Sequence, residues 1–307
     1  MRSVLSIFMC LLIAPMTAAA PAQAAASSGG AGAATHYVQV NGDKIAYRRV
    51  GRGSPLLMAN RMRGTLDTWD PLFLDELARH HTVITFDYPG IGYSAGQQLD
   101  DIGRAAAFVA DLARALELTR FTAAGWSWGG TVMQAMLLEY PERVGAAVLI
   151  GTAPPGKAER PIQPIFLERA FKPYNDLADD EILFFEPASE RSREANRRSR
   201  DRIYARAGVA ERIPSKVEQI QPYLKAAHQY HEDSVGRRQK LMKSRVPLLV
   251  LCGDNDPSVP AQNWFPLVGQ IDAQLLVLPQ SGHGPQHQYP ELSAQYIADF
   301  VRMSSAR

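Results

Sequence analysis

Short apolar segments alternate with amphipathic ones along most of the chain, and this alternation constrains the fold more than any other feature. Apolar runs of strand length occur at 55–60, 82–89, 120–125, 144–153, 247–254 and 273–279. Between two of them, residues 100–118 place apolar side chains three or four positions apart, as in a helix with one buried face. Strands that are apolar throughout need cover on both faces, so the sequence predicts an α/β protein with a mostly parallel sheet between helices.

Two segments depart from this alternation. At the start, the runs HYVQV and KIAYRRV flank Asn41-Gly42-Asp43, a composition typical of a hairpin, which predicts an antiparallel edge. Residues 154–243 are polar and helical without a strand-like run, and we expect them to form a lid. The predicted core then comprises residues 36–153 and 244–307, with the lid inserted between two of its strands.

The first residues have the composition of a targeting segment. Residues 1–24 carry one arginine, then an apolar run, then small residues ending in Ala22-Gln23-Ala24, the arrangement of a secretory signal peptide with its cleavage site. Pro15 and the small residues after it make the apolar run too short for a membrane anchor. We therefore expect export to the periplasm or the medium, no stable anchor after cleavage, and a flexible linker over residues 25–35.

Composition excludes some other classes of function. The formal net charge of +2 and the absence of a long single-sign block argue against binding to nucleic acid. Without the signal peptide, Cys252 is the one remaining cysteine, so no internal disulfide can form.

The segment Gly125-Trp126-Ser127-Trp128-Gly129 matches the pattern G-x-S-x-G between a predicted strand and a predicted helix. A serine there can be a plain helix cap or a nucleophile held in a strained turn that exposes its hydroxyl. The setting favours the nucleophile, because the N–H of Trp128 at the helix start would face the group under attack. Ser127 is therefore the predicted nucleophile.

A serine nucleophile needs a base, and the base needs an acid to orient it. After the predicted lid, Asp254, Asn255 and Asp256 follow one apolar strand, and His283 follows the next between two glycines. The carboxyl ends of parallel strands lie at one edge of a sheet, so these loops can converge on the serine. The order Ser, Asp, His along the chain is the expected one.

These motifs resemble those of α/β-hydrolase-fold serine hydrolases, over roughly residues 36 to 305. The stretches FDYPGIGYS, GWSWGG, YPERVGAAVLIGTAPPG, GDNDPSVP and SGHGPQHQYPE are similar to lid-bearing bacterial esterases and cofactor-free haloperoxidases or perhydrolases. The resemblance implies an eight-stranded sheet, Asp256 as the acid, His283 as the base, and the backbone N–H groups of Trp128 and Met62 as oxyanion donors. The family usually carries His-Gly where this chain has Asn60-Arg61.

The positions of several residues in the chain predict how the pocket is lined, and the resemblance predicts what reacts there. We expect Trp128, Met62 and Trp264 to contact substrate, Phe184 and Phe185 to lie on the lid side, and His287 to be a surface residue. The expected substrate is a small ester or lactone, and no metal or organic cofactor is needed. Alternatives with the same triad are perhydrolase or haloperoxidase activity and hydrolysis of carbon–carbon or amide bonds; a further one is a non-catalytic ligand-binding protein.

Overall fold

The computed structural model describes residues 29–305. The predicted signal peptide at 1–24 and the first part of the predicted linker, 25–28, lie outside this range. Between residues 29 and 305, none of the helices combines the length and the apolar composition that a bilayer crossing requires.

Eight strands form one sheet in the order β1-β2-β4-β3-β5-β6-β7-β8. Their bounds are β1 His36–Val40, β2 Asp43–Val50, β3 Ser54–Ala59, β4 His81–Phe86, β5 Phe121–Trp126, β6 Val144–Ile150, β7 Leu248–Gly253 and β8 Ala273–Leu278. The strand β2 pairs antiparallel with β1 and β4, and every later pairing is parallel. The predicted α/β fold and its antiparallel leading hairpin are confirmed.

Helices cover both faces of this sheet. Their bounds are α1 Pro71–Ala78, α2 Ile102–Ala115, α3 Trp128–Glu139, α4 Pro164–Ala170, α5 Leu177–Phe184, α6 Glu190–Tyr204, α7 Val209–Arg212, α8 Val217–Glu232, α9 Arg237–Lys243, α10 Pro285–Gln288 and α11 Pro290–Ser305. Because side chains alternate along a strand, Leu57 packs with the α2 and α3 face, whereas Leu56 and Met58 pack with α1 and α11. The central strands are therefore buried on both sides.

The helices α4 to α9 lie between β6 and β7, so a helical insertion is present where the strand pattern breaks. We call residues 154–243 the helical insertion. Its own small apolar cluster consists of Phe166, Ala170 and Leu183, against which Met62 and Phe184 pack. The insertion thus meets the core next to the loop that follows β3.

Two sequence predictions need correction. Residues 29–35 are not a flexible linker: Gly30–Gly32 form a 3₁₀ turn, and the N–H of Gly30 donates to the Asp75 carboxylate on α1. Glycine permits this approach, because a Cβ at Gly30 would lie 3.1 Å from the Cβ of Leu74. The strand β8 was expected to be buried, but it is an edge strand and most of its residues are partly exposed.

Candidate active site

Ser127 occupies the turn between β5 and α3 in a conformation that few non-glycine residues adopt. Its φ is 55° and its ψ is −120°. Its N–H donates to the carbonyl of Ile150 on β6 (2.8 Å), and its carbonyl accepts from the N–H of Thr131 (3.0 Å). The backbone is thus fixed on both sides, while the side chain makes no capping bond to the helix. Strain held in this way is characteristic of functional turns.

The glycines around this serine are required by close backbone packing. A Cβ at Gly125 would overlap the backbone of Gly129, and one at Gly129 would overlap the carbonyl of Ala59 at the end of β3. A Cβ at Gly130 would overlap the hydroxyl of Thr152. The helix therefore approaches the neighbouring strands so closely that only glycine fits.

Asp256 and His283 come together at the carboxyl ends of β7 and β8. His283 Nδ1 lies 2.8 Å from Asp256 Oδ2, and the two residues are 1% and 2% exposed, respectively. The other carboxylate oxygen accepts from the N–H groups of Ser258 and Val259, at 2.8 Å each. The carboxylate is thus oriented by backbone donors while it contacts the imidazole.

The two alternative acids lie elsewhere in the same loop. Asp254 Oδ1 accepts from the N–H of Ser281 (2.9 Å) and from the amide of Asn255 (3.3 Å). Both side chains are exposed, so they stabilise the turn at the surface. Of the three candidates, Asp256 is the one that contacts His283.

Ser127 and His283 line one cavity of about 150 Å³ beneath the helical insertion. The other residues lining it include Arg61, Met62, Arg63, Trp128, Phe166, Leu183, Phe184, Tyr223, Tyr230, His231 and Ser258. His283 Nε2 is buried and has no hydrogen-bond partner within residues 29–305, so the structure contains no Ser127–His283 hydrogen bond. Such bonds are often loose before substrate binds.

The loop after β3 carries Asn60-Arg61 where the family usually has His-Gly, and its turn is held by the Asn60 side chain. The Asn60 side chain donates to the carbonyl of Thr65 (2.7 Å) and to the hydroxyl of Thr68 (2.9 Å). Its Oδ1 accepts from the N–H of Arg61 (2.8 Å). These bonds fix the turn that carries Met62 into the cavity wall.

Arg63 in the same loop adopts a left-handed conformation, with a φ of 62°. Its guanidinium donates to carbonyls of the insertion at Pro214 (2.6 Å), Ala170 (2.7 Å), Lys172 (2.8 Å) and Pro173 (2.7 Å). Sequence reasoning did not identify this residue as functional. One arginine thus joins the predicted oxyanion loop to the helices that cover the cavity.

The predicted substrate contacts divide into two groups. Trp128 and Met62 line the cavity, and Trp128 packs edge-on against Tyr88 and Tyr223 at centroid distances of 4.8 and 4.9 Å. Trp264 does not line it: the side chain is 2% exposed, and its indole N–H donates to the carbonyl of Thr152 (2.7 Å). The prediction for Trp264 is wrong, because the indole is used to fix the strand end behind the cavity wall.

His287 is also placed differently from the prediction. It is 2% exposed, its ring lies 4.7 Å from the Trp126 ring, and its Nε2 accepts from the N–H of Asp70 (3.3 Å). Burial lowers the pKa of His287 to about 4, so it is a neutral core residue at physiological pH. Of the two phenylalanines expected near the cavity, Phe184 lines it, whereas Phe185 lines a smaller neighbouring cavity.

Comparisons with known proteins agree with this architecture. Residues 55–290 match a family model described as alpha/beta hydrolase fold. A pimeloyl-[acyl-carrier protein] methyl ester esterase of Nitrosomonas europaea is 25% identical over 270 residues, which cover 83% of this chain and 98% of that protein. A 2-hydroxy-6-oxononadienedioate/2-hydroxy-6-oxononatrienedioate hydrolase of Burkholderia vietnamiensis is 28% identical, over 88% of this chain and 96% of its own.

Among solved structures, an alpha/beta hydrolase fold protein from Chitinophaga pinensis superposes with a TM-score of 0.78. It is 29% identical and covers 89% of this chain and 99% of its own. The similarity therefore extends over the sheet, the flanking helices and the helical insertion together.

Proposed function

The chain belongs to the α/β-hydrolase-fold family, and from that premise we propose that it is a serine esterase acting on small carboxylic esters or lactones. Its relatives include esterases and other hydrolases, which supports an enzyme of ester hydrolysis in the broad sense. The finer proposal is an acyl-enzyme mechanism with Ser127 as nucleophile, His283 as base and Asp256 as the orienting acid.

The observation that carries this proposal is the strained backbone of Ser127 above one end of the sheet. Its φ of 55° turns the residue out of helical geometry, and it shares one cavity with His283. The imidazole is in turn bonded to Asp256 at 2.8 Å. A plain helix cap would bond to the helix and would not need a histidine–carboxylate pair facing it.

In the first half-reaction, His283 Nε2 accepts the hydroxyl proton while Ser127 Oγ attacks the ester carbonyl. The Asp256 carboxylate holds the proton on Nδ1, so Nε2 is the nitrogen free to act as base. The backbone N–H groups of Trp128 and Met62 would stabilise the oxyanion, and loss of one such donor typically costs about 10²–10³ in rate.

The first half-reaction ends when His283 gives its proton to the leaving alcohol and the acyl-enzyme forms. In the second half-reaction, His283 accepts a proton from water and later returns it to Ser127 Oγ. The activated water attacks the acyl-enzyme, and collapse of the second tetrahedral intermediate releases the acid and regenerates the serine. The wall contributed by Trp128, Met62, Phe166 and Phe184 is apolar, which favours methylene groups in the part of the acyl chain that contacts it.

Ester kinetics on single variants test this proposal. We expect Ser127→Ala and His283→Ala each to lower kcat by about 10⁴-fold or more on 4-nitrophenyl esters, because triad members act as a unit. Asp256→Asn should lower kcat strongly, whereas the matched control Asp254→Asn should retain most of it. Equal losses in the two aspartate variants, or an active Ser127→Ala, would contradict the assignment.

A second candidate reaction has one specific observation in its favour. The Burkholderia relative is named for an oxo-dicarboxylate substrate that contains no ester, and it aligns over 88% of this chain. The same serine and histidine could act on an activated carbon–carbon bond. Turnover of such an oxo-acid at a higher kcat/KM than any ester would favour this reaction.

We also propose that the chain is exported. The support is the sequence of residues 1–24 with its Ala22-Gln23-Ala24 site. Mass spectrometry of the exported protein should give a mature N-terminus near Ala25, and an intact Arg2 in that protein would contradict the proposal.

A further inference from the structure

The charged side chains that line the cavity include basic residues but no acidic ones within residues 29–305. Two arginines, Arg61 and Arg63, line it, and within residues 29–305 no aspartate or glutamate does. Two histidines also line it: the proposed base His283, and His231, whose Nδ1 lies 3.2 Å from the carbonyl of Gly156. The lining of the cavity therefore carries positive charge with no carboxylate of its own.

The two arginines differ in how their N–H groups are used. Arg63 donates to four carbonyls of the helical insertion and is occupied by them. Among residues 29–305, the guanidinium of Arg61 makes one hydrogen bond, from Nη1 to the carbonyl of Met62 (2.8 Å). Its Nε is buried and has no acceptor in the described part of the chain. Arg61 thus retains donors that can bind an incoming group.

Aromatic rings hold the Arg61 side chain in place. Its guanidinium carbon lies 4.5 Å from the ring centroid of Phe184 and 5.2 Å from that of Trp126. Stacking of this kind orients a planar guanidinium and leaves its N–H edge available for a bidentate bond. Burial lowers the pKa of Arg61 to about 10, so the group stays charged at neutral pH.

The acid whose charge acts most strongly on the pKa of Arg61 is Asp180, and its carboxylate already has a partner. Asp180 on α5 lines the small neighbouring cavity that Arg61 also borders, and its carboxylate is paired with Arg200. No ion pair joins Arg61 to an acid within residues 29–305. An unpaired buried cation is costly, and an anionic ligand would remove that cost.

We propose that Arg61 binds a carboxylate on the substrate, so that the preferred substrates are esters carrying a second, free carboxylate, such as half-esters of dicarboxylic acids. This inference rests on the proposed esterase function and specifies its substrate class. Arg61 lines the same cavity as Ser127 and Met62, so an anion held by Arg61 would share that cavity with the reacting carbonyl. A guanidinium pairs with a carboxylate through two parallel hydrogen bonds.

The test compares 4-nitrophenyl half-esters of succinic, glutaric and adipic acid with neutral 4-nitrophenyl esters of the same acyl length. The wild type should prefer at least one half-ester in kcat/KM. Arg61→Gln should lower that preference by about tenfold to hundredfold, mainly through KM, because a charged hydrogen bond is lost. Arg61→Lys should retain part of it.

The matched control is Arg198→Gln, which removes the same charge from an exposed ion pair with Glu194. The ratio of kcat/KM for half-esters to kcat/KM for neutral esters should be the same in this variant as in the wild type. Equal losses on both ester types in Arg61→Gln, or a wild type that discriminates against every half-ester, would overturn the inference and leave the esterase intact. No Ser127-dependent hydrolysis of any ester would instead contradict the proposed function itself.

A measurement on the wild type alone covers the case in which the Arg61 variants do not fold. Free glutarate should inhibit hydrolysis of a neutral ester competitively and more strongly than pentanoate, which has the same chain with one carboxylate fewer. Equal inhibition by the two acids would overturn the inference.

Discussion

The sheet and the helical insertion differ in how far their packing depends on charged side chains. Central strand residues such as Leu56 and Leu57 are fully buried among apolar side chains. The insertion also packs apolar side chains such as Tyr223 and Tyr230 into the core, and it adds charged contacts. Arg202 pairs with Asp70 (2.6 Å), and Arg206 lies 3.5 Å from Asp67. Arg63 adds its bonds from the opposite direction, out of the core into the insertion.

This difference separates two parts of the proposed catalytic site. Ser127, Asp256 and His283 belong to loops of the close-packed core, whereas the cover of the cavity is attached through charged contacts as well as apolar packing. We therefore expect damage to the core to abolish activity, and damage to the arginine contacts to alter access to the cavity first.

Among the changes that distinguish the core from the insertion, we expect the largest loss of activity from Gly129→Ala. The added methyl would overlap the carbonyls of Ala59 and Asn60 and move α3 relative to the loop after β3. A shift of about 1 Å at such a site can cost about 10²-fold in kcat. The control is Gly145→Ala, where the nearest atom to the new Cβ is the Arg120 side chain at 3.4 Å, and it should retain activity. Similar activity in the two variants would show that close packing at the turn does not matter.

We expect Arg63→Met to have a smaller effect, which is to lower the local stability of the helical insertion. Removal of the guanidinium leaves four insertion carbonyls without their donor, and each bond to a charged donor contributes about 1.5–3 kcal/mol. Amide hydrogen exchange should accelerate in residues 164–243 while β5 and β6 remain protected. Exchange that accelerates equally in strands and insertion would contradict the separation of the two regions.

The pH dependence of the free energy of unfolding tests the burial of titratable groups in the core. Burial raises the pKa of Asp87 from 3.8 to about 7, so the folded state holds a proton that the unfolded state releases. Stability from this group is therefore greatest below pH 3.8 and falls as pH rises to about 7, by about 1.4 kcal/mol per pH unit at most. Relative to the wild type, Asp87→Asn should remove this falling slope in urea unfolding.

His287 affects the pH dependence of the free energy of unfolding with the opposite sign. Its pKa falls from 6.5 to about 4 on folding, so its stabilisation is present above pH 6.5 and is lost as pH falls towards 4. His287→Gln should remove a slope that rises with pH, and the exposed control Glu168→Gln should change neither slope. Parallel curves for all three variants would contradict both assignments.

We expect the smallest effect from a rise in ionic strength, which should weaken the charged contacts of the insertion. Raising ionic strength from about 0.1 to about 1 M shortens the screening length from about 10 to about 3 Å. The partly exposed Arg202 and Arg206 contacts should weaken by no more than about 1 kcal/mol, and exchange in α6 should rise. The apolar strands should stay protected, and an equal response in β5 would count against the proposed division.

The sequence predicted the fold and the position of Ser127 because both depend on local patterns: apolar strand runs and glycines at a tight turn. It failed where distant elements decide the outcome. His287 was expected at the surface, yet the packing of Trp126 over it makes it a buried residue. Trp264 was expected in the pocket, but the carbonyl of Thr152 binds its indole on the far side of the wall.

From the sequence, Arg61 was interpreted only as part of the Asn60-Arg61 pair that replaces the usual His-Gly, and Arg63 was given no role. Their roles depend on carbonyls more than 100 residues away and on the rings of Trp126 and Phe184, which no local pattern encodes. Only a signal of spatial contact, such as covariation between the loop and residues 170–175, could have identified them.

Covalent labelling tests the central claim, that the core presents an activated serine. The folded mature protein is treated with a fluorophosphonate, and its peptides are mapped by mass spectrometry. We expect label on Ser127, none at that site in Ser127→Ala, and strongly reduced label in His283→Ala. A folded protein that takes up no label, or takes it up at another residue, would contradict the claim.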